Sequence, residues 1–369
     1  MNTNEKNKTI LFGALDWGLG HATRSMPLID ALIGLGHQVV LTSSGDAAQL
    51  WRLHYPQLPF LSLADNAVVY GKNASWSALL QSPRFLKNIR LENLLVQKYV
   101  AGNKVDLIVS DNRYGLYHPK VPSILITHQL QLMPPQSWPP VQKLWENSWN
   151  LFRKPLFAPF REIWVPDFVS EQHSLAGELS KNAGGLPVKY IGPLSRLHPK
   201  TANQPKTGIL LLLSGPEPQR SMLEALLLQQ LVGNSDRITL VRGLITKNIP
   251  MPEMGGQLTN FRGFDYLNPE ELSQEIANHA LVISRSGYST IMDLQQLGAK
   301  AVFVPTPGQA EQEYLASSLS ERKIAAYQPQ NALNLTTLIA SNRQNIGFVS
   351  QPALHYDQLW LETLSSLEA

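Results

Sequence analysis

Two α/β domains, each built on a parallel sheet of the Rossmann kind and facing a shared cleft, are the architecture this sequence predicts. Three observations carry that expectation. Short apolar, strand-like runs alternate with helix-length segments through both halves of the chain, the pattern that builds parallel sheets. In both halves a strand end passes directly into a turn of small residues that opens a helix. Between the halves, residues 192–206 are polar and carry Gly192, Pro193, Pro199 and Pro205, a composition that breaks the repeat and reads as a linker.

The elements follow in order. Ile10–Ala14 reads as the first strand, and His21–Leu35 as an amphipathic helix bracketed at its end by Gly34 and Gly36. Gln38–Thr42, a helix near Ala47–Leu53, Phe60–Leu63, a long helix over Trp76–Tyr99, and strands at Leu107–Ser110, Ser123–Thr127, Glu162–Val165 and Val188–Ile191 complete the first half. The second half restarts at Gly208–Leu213, with further strands at Ile238–Val241, Thr259–Phe261, Leu281–Ser284 and Ala301–Val304. Its helices fall near Glu217–Leu231, Asn268–Ala277, Tyr288–Leu297 and Glu311–Glu321. Leu354–Leu367 reads as a closing helix. The expected division is 1–198, then 199–350, with a C-terminal helix over 351–369 that packs back on the N-terminal domain.

Composition limits the function classes. Of 369 residues, 43% are hydrophobic and 16% charged, enough apolar mass for two cores and too little charge for a disordered chain. The net charge of +3 is too small to indicate a nucleic-acid partner. There is no cysteine, which excludes disulfides, thiolate metal sites and a cysteine nucleophile and fits a cytoplasmic location. The apolar run Thr9–Leu15 is too short for a signal peptide core.

Five turns carry the chemistry. Asp16-Trp17-Gly18-Leu19-Gly20-His21-Ala22-Thr23-Arg24 follows the first strand. Its glycines permit close backbone approach, and a neutral His21 on the first helical turn can take a proton from a hydroxyl. A histidine that merely bonds backbone at a helix start fits equally well. Ser284-Arg285-Ser286-Gly287, with Asp293 six positions beyond the glycine, offers donors to a phosphate at a helix N-terminus and an acceptor for ribose hydroxyls. A capping serine and a plain surface aspartate are the bland alternative. Ser214-Gly215-Pro216 is a third strand-to-helix turn suited to phosphate or to helix initiation alone. Pro305-Thr306-Pro307-Gly308-Gln309-Ala310-Glu311-Gln312-Glu313 places amides where sugar hydroxyls can be read. In the first half, Asp111, Tyr114 and His128 follow strand ends as acceptor-side candidates; Asp111 and His128 are acceptor ligands, alternative bases, or positioning and structural polar residues.

The second half resembles the C-terminal domain of family 28 glycosyltransferases, the group that includes the peptidoglycan N-acetylglucosamine transferase. The likeness rests on Arg285-Ser286-Gly287 with an acid six residues later, then Val304-Pro305 and a glutamine-bearing helix start. It implies the GT-B fold and a UDP-sugar donor such as a UDP-N-acetylhexosamine. It further implies Asp293 on ribose in place of the usual glutamate, Gln312 with Glu313 replacing a glutamine pair on the sugar, Gly263-Phe264 as the uracil-reading loop, and Ser214-Gly215 as the phosphate loop. Gly20-His21 resembles the family's glycine-rich loop and its histidine, while Tyr114-Gly115 and His128-Gln129 resemble its acceptor loops. The string Gly20 to Arg24 also resembles the UDP-sugar hydrolase of pseudaminic acid synthesis.

These readings combine into a metal-independent, inverting glycosyltransferase without a cofactor. His21 acts as base, Arg285, Ser286, Gly287, Ser214 and Gly215 hold the diphosphate, and the acceptor is an unknown glycan or lipid-linked hydroxyl. No two aspartates have the Asp-x-Asp spacing of metal-dependent transferases. The rival readings are UDP-sugar hydrolysis and a non-catalytic nucleotide-sugar-binding protein. Four of the eight tryptophans lie in 136–166 among Lys143, Arg153, Lys154 and Arg161. That segment is either a core helix or a peripheral contact with the inner membrane face.

Overall fold

A computed structural model describes residues 7–62, 83–131, 149, 153–181, 185–245, 249–252, 260–351 and 354–367. The chain forms two compact units, one of residues 1–16, 21–194 and 354–369, the other of 17–20 and 195–353.

The first unit is built on seven parallel strands: β1 (Thr9–Ala14), β2 (Gln38–Ser43), β3 (Phe60–Ser62), β4 (Leu107–Asp111), β5 (Ser123–Ile126), β6 (Glu162–Val165) and β7 (Val188–Tyr190). They lie in the order β3-β2-β1-β4-β5-β6-β7. β1, β4 and β5 are buried along nearly their whole length, as continuous apolar runs require when both faces are covered. α1 (Gly20–Gly34), α2 (Gly45–His54) and α3 (Pro83–Gly102) join them. No side chain of Ser44 caps α2. Asp16 accepts from the Ala47 amide at 3.2 Å instead, placing a carboxylate at the positive end of that helix. Gly45, at φ +50°, sits so close to Asp16 that a Cβ would come within 1.9 Å of its oxygen.

The second unit has six parallel strands: β8 (Ile209–Leu212), β9 (Ile238–Val241), β10 (Phe261–Phe264), β11 (Leu281–Ser284), β12 (Ala301–Phe303) and β13 (Ala326–Tyr327), ordered β10-β9-β8-β11-β12-β13. Its helices are α4 (Gln219–Leu231), α5 (Pro269–Asn278), α6 (Tyr288–Leu297), α7 (Ala310–Glu321) and α8 (Leu335–Ser341). Leu211, Leu213, Leu223, Leu227, Leu240, Ile283, Val302 and Val304 make its core. α5 starts on a reciprocal cap: Asn268 accepts from the Glu271 amide, and Glu271 accepts from the Asn268 amide.

Two parallel-sheet domains are therefore present, as expected. One sequence assignment shifts. The strand expected at Thr259–Phe261 runs instead over Phe261–Phe264, and Thr259 lies outside the described residues. The long helix begins its described part at Pro83, so its expected start at Trp76 also lies outside them.

α9 (Tyr356–Ser366) closes the chain. Trp360 is fully buried, donates its indole N–H to the Leu28 carbonyl at 2.9 Å, and lies 4.8 Å from the Trp164 ring. Removing a buried indole costs about 3–5 kcal/mol. Trp360→Ala is accordingly expected to lower stability by that order, measured as a fall in the urea midpoint of the first unit's transition.

Candidate active site

Strand order locates the site before any side chain is considered. In the first sheet the winding reverses between β1 and β4. In the second it reverses between β8 and β11. Open parallel sheets bind ligands at the carboxyl ends of strands at such switch points.

At the first switch point Ala14 is in register with Asp111, the last residue of β4. The Asp111 carboxylate has no exposed surface. Arg24 grips it with two nitrogens, Nε at 2.7 Å from Oδ2 and Nη2 on Oδ1. The Ser25 hydroxyl donates to Oδ2 at 2.9 Å, and Oδ1 lies 2.8 Å from His21 Nδ1. His21, Arg24 and Ser25 share one side of α1 because residues three and four apart face the same way. Burial alone would raise the Asp111 pKa, but the Arg24 charge, followed by His21, overrides it and holds the carboxyl well below the usual carboxylate range.

An ionised Asp111 accepts only, so His21 presents Nδ1–H to it and keeps the Nε2 lone pair. The imidazole pKa is lowered, first by burial and then by Arg24, with Asp111 acting in the opposite direction. His21 keeps 14% of its side-chain surface exposed, whereas Asp111 keeps none. The result is a neutral, oriented imidazole backed by a carboxylate, the arrangement of a general base.

All three acceptor-side candidates are buried in the first unit. Asp111 is the orienting partner of His21 and too deeply buried to meet a ligand. Tyr114 is a core residue, 2% exposed, stacked on Phe157 at 5.9 Å with its hydroxyl donating to Asn112. Burial raises its phenol pKa. His128 is also buried, with Nδ1 3.3 Å from Arg24 Nη1. A protonated guanidinium only donates, so this nitrogen accepts, and His128 supports Arg24. Where the 136–166 segment is described, Trp149, Arg153, Phe157 and Trp164 are buried, while Lys154 and Arg161 are exposed. Trp138 and Trp145 lie outside the described residues.

At the second switch point Leu212 is in register with Ser284, which brings the turns after β8 and β11 side by side. Gly215 has φ +102° with open space where a Cβ would stand. Gly287 caps α6 with no side-chain bond and with the same open space. Asp293 sits on the second turn of α6. Ser195 donates to it at 2.5 Å, and burial pushes its carboxyl up to about 6 against that bond and the Arg196 charge.

Several side chains expected on the donor are engaged within the unit. The Arg285 guanidinium donates to the carbonyls of Val304, Pro305 and Gln219, each at 2.8–3.0 Å. Burial lowers its pKa to about 10, and its three carbonyl partners tie three turns of the unit together. The Ser286 hydroxyl donates to the Gln312 carbonyl at 2.7 Å. Gln312 Oε1 accepts from the Thr306 amide at 2.9 Å, and its Nε2 donates to Gln309 at 2.5 Å. Gly263 and Phe264 are the last two residues of β10, not a loop, because the strand runs three residues further than expected. Sequence reading gave no role to Arg24, Ser25 or Ser195. The i, i+3, i+4 spacing from His21 carried a signal for the first two, but Ser195 lies 98 positions from Asp293 and carried none.

With this geometry in hand, the comparisons with known proteins fit. The two-sheet arrangement is the GT-B fold of glycosyltransferases, and the chain adopts it throughout. Residues 224–346 match the Glycosyltransferase family 28 C-terminal domain. Similar solved structures include CalG4, the calicheamicin glycosyltransferase, at 12% identity over 98% of both chains with a TM-score of 0.63. MurG of Acinetobacter baumannii is 14% identical, covering 97% of this chain and 99% of that one, with a TM-score of 0.59. LpCGTa in complex with UDP is 13% identical, covering 98% and 99%, with a TM-score of 0.58. No curated protein matches the sequence.

The electrostatics of His21 give a direct measurement. Its imidazole is expected to titrate below the ordinary histidine range in an NMR titration of the ring protons. Arg24→Gln removes a charge that lowers it, so that variant should titrate at higher pH than the parent.

Proposed function

We propose that the protein is an inverting, metal-independent glycosyltransferase that moves a sugar, with N-acetylhexosamine the favoured case, from a UDP-sugar to a hydroxyl acceptor. The observation that carries the reading is the His21–Asp111 pair, 2.8 Å apart at the first sheet's switch point. His21 Nε2 takes the acceptor proton as that oxygen attacks the anomeric carbon, and the resulting imidazolium is stabilised by Asp111, which stays ionised. Direct displacement by one activated oxygen inverts the configuration. The departing diphosphate bears negative charge, which suits the N-terminus of α6 at its cap Gly287 and the open backbone at Gly215. Asp293 accepts from the ribose hydroxyls. The family 28 match over residues 224–346 supports nucleotide-sugar binding by the second unit, and the sequence has no Asp-x-Asp pair, so activity is expected to survive EDTA.

Loss of the base is expected to reduce turnover by about two to four orders of magnitude. His21→Ala should do so in an assay of UDP release while keeping the UDP thermal shift. Full activity in that variant removes His21 from the base role. Counting free sugar against glycosylated acceptor separates transfer from hydrolysis, and sugar release that is indifferent to any acceptor would favour the hydrolase.

Asp293 gives an independent test on the donor side. Ribose hydroxyls donate to the ionised carboxylate, so UDP binding draws its pKa down from about 6 and releases protons when measured near pH 6. Calorimetry in buffers of differing ionisation heat should record that release, which is smaller at pH 8 where the group is already ionised. Asp293→Ala should weaken UDP by about ten- to a hundredfold, the scale of hydrogen bonds to a charged group, and abolish the excess release over that of the phosphate itself. Unchanged affinity takes Asp293 off the ribose.

A further inference from the structure

We propose that Ser195 is a positioning residue of the donor site: its hydroxyl holds one oxygen of Asp293 and so presents the other to the ribose of the nucleotide. The inference rests on the reading of Asp293 as the ribose acceptor. It adds a residue that precedes the family 28 match over residues 224–346.

Ser195 is the first residue of the second unit after the crossover from the first. It is buried, as is Leu197. Three contacts build this short segment into the unit. Arg196 Nη1 donates to the Tyr266 hydroxyl at 2.9 Å, between β10 and α5. The His198 amide donates to the Ser273 hydroxyl of α5 at 3.3 Å. The Ser195 hydroxyl donates to Asp293 Oδ1 of α6 at 2.5 Å.

The Ser195 proton is committed to that bond. The Leu197 amide donates to Ser195 Oγ at 3.1 Å, which occupies a lone pair, and a hydroxyl has a single O–H to give. Among the described residues nothing donates to Asp293 Oδ2, and Asp293 is only half-buried. One oxygen is therefore held by the protein and the other is left to a ligand. An aspartate has two side-chain torsions, and a bond to Oδ1 restrains both. Less side-chain freedom is then lost when a ribose hydroxyl arrives.

The same bond favours the ionised carboxylate. Burial pushes the Asp293 pKa up to about 6, while the Ser195 bond and then the Arg196 charge act in the opposite direction. No other charged residue stands on α6. On α5, which packs against α6, Glu271 serves the helix cap, Glu275 pairs with Arg262, and Glu270 is exposed. His198 is exposed as well.

The test is calorimetry of UDP binding to the full chain from pH 5 to pH 8, for the parent, Ser195→Ala, Ser195→Thr, Asp293→Asn and Ser195→Ala/Asp293→Asn. At pH 8, Ser195→Ala should weaken UDP by about three- to tenfold, the scale of one hydrogen bond. Ribose hydroxyls donate to the ionised carboxylate, so affinity falls as Asp293 takes up a proton. Loss of the Ser195 bond raises that pKa, and the fall should begin at higher pH than in the parent. Ser195→Thr keeps a hydroxyl and should restore the parent profile. In Asp293→Asn the fall that remains belongs to the UDP phosphate, and adding Ser195→Ala should change affinity by less than about twofold. A parental affinity and pH profile in Ser195→Ala, beside weakened binding in Asp293→Asn, overturns the role of Ser195 and leaves the ribose reading standing. Unchanged affinity in Asp293→Asn defeats the ribose reading and this proposal with it. A full further loss on adding Ser195→Ala to Asp293→Asn means that Ser195 acts by another route and also overturns the proposal. Ser195→Cys, similar in shape but a far weaker donor, carries the same comparison if the alanine variant does not fold.

Discussion

A carboxylate with no exposed surface has to find all of its hydrogen-bond partners inside the protein, and that constraint on Asp111 organises the first unit. Burying an isolated charge is prohibitive. Asp111 is tolerable there because Arg24, Ser25 and His21 converge on it from one side of α1, while the end of β4 on which it stands is paired to β1 and β5. Removing one partner from such a buried set costs on the order of 3–5 kcal/mol, so helix rotation, strand register and imidazole tautomer are fixed together. The position of His21 follows from charge accounting at the residue behind it. Within this cluster His21 keeps some side-chain surface exposed while Asp111 keeps none.

The second unit meets the same problem with the opposite sign. Arg285 is buried, and its partners are main-chain carbonyls. The effect is to tie the turn after β11 to the turn after β12 and to the start of α4. Ser286 and Gln312 add further ties between the same segments. These side chains stiffen the turns from within and leave the outward-facing groups to be main chain at Gly215 and Gly287, where a side chain is absent and the space is open.

Much of the fold was legible in the sequence because a strand buried on both faces is a continuous apolar run and needs no partner to be recognised. β6, β9 and β11 fall where their runs fall. β13 and α8, at two and seven residues, are too short to carry a period. The turns that hold the candidate site were visible as well, since small residues after a strand have few other uses. The division of labour within them was not. Nothing local distinguishes an arginine aimed at phosphate from one aimed at carbonyls 19 and 20 positions away, and nothing near Tyr114 shows that Phe157 lies flat against it. Long-range partners decide whether a polar side chain serves a ligand or the fold, and sequence spacing reports only near ones.

α3 shows the same limit in its sharpest form. Periodicity finds the helix but assigns its sides by hydrophobicity, which would turn the leucines inward and Glu92 and Asn93 outward. The structure does the reverse at those positions because Arg113 supplies a counter-charge and the carbonyls of Gly115 and Tyr117 supply acceptors on the inner side. Once those polar groups are satisfied inside, rotating the helix to bury Leu91 and Leu94 would leave a carboxylate without its guanidinium and an amide without its acceptors, each costing more than a leucine's exposure. The outward leucines are thus locked out of the core by polar contacts rather than left over from loose packing.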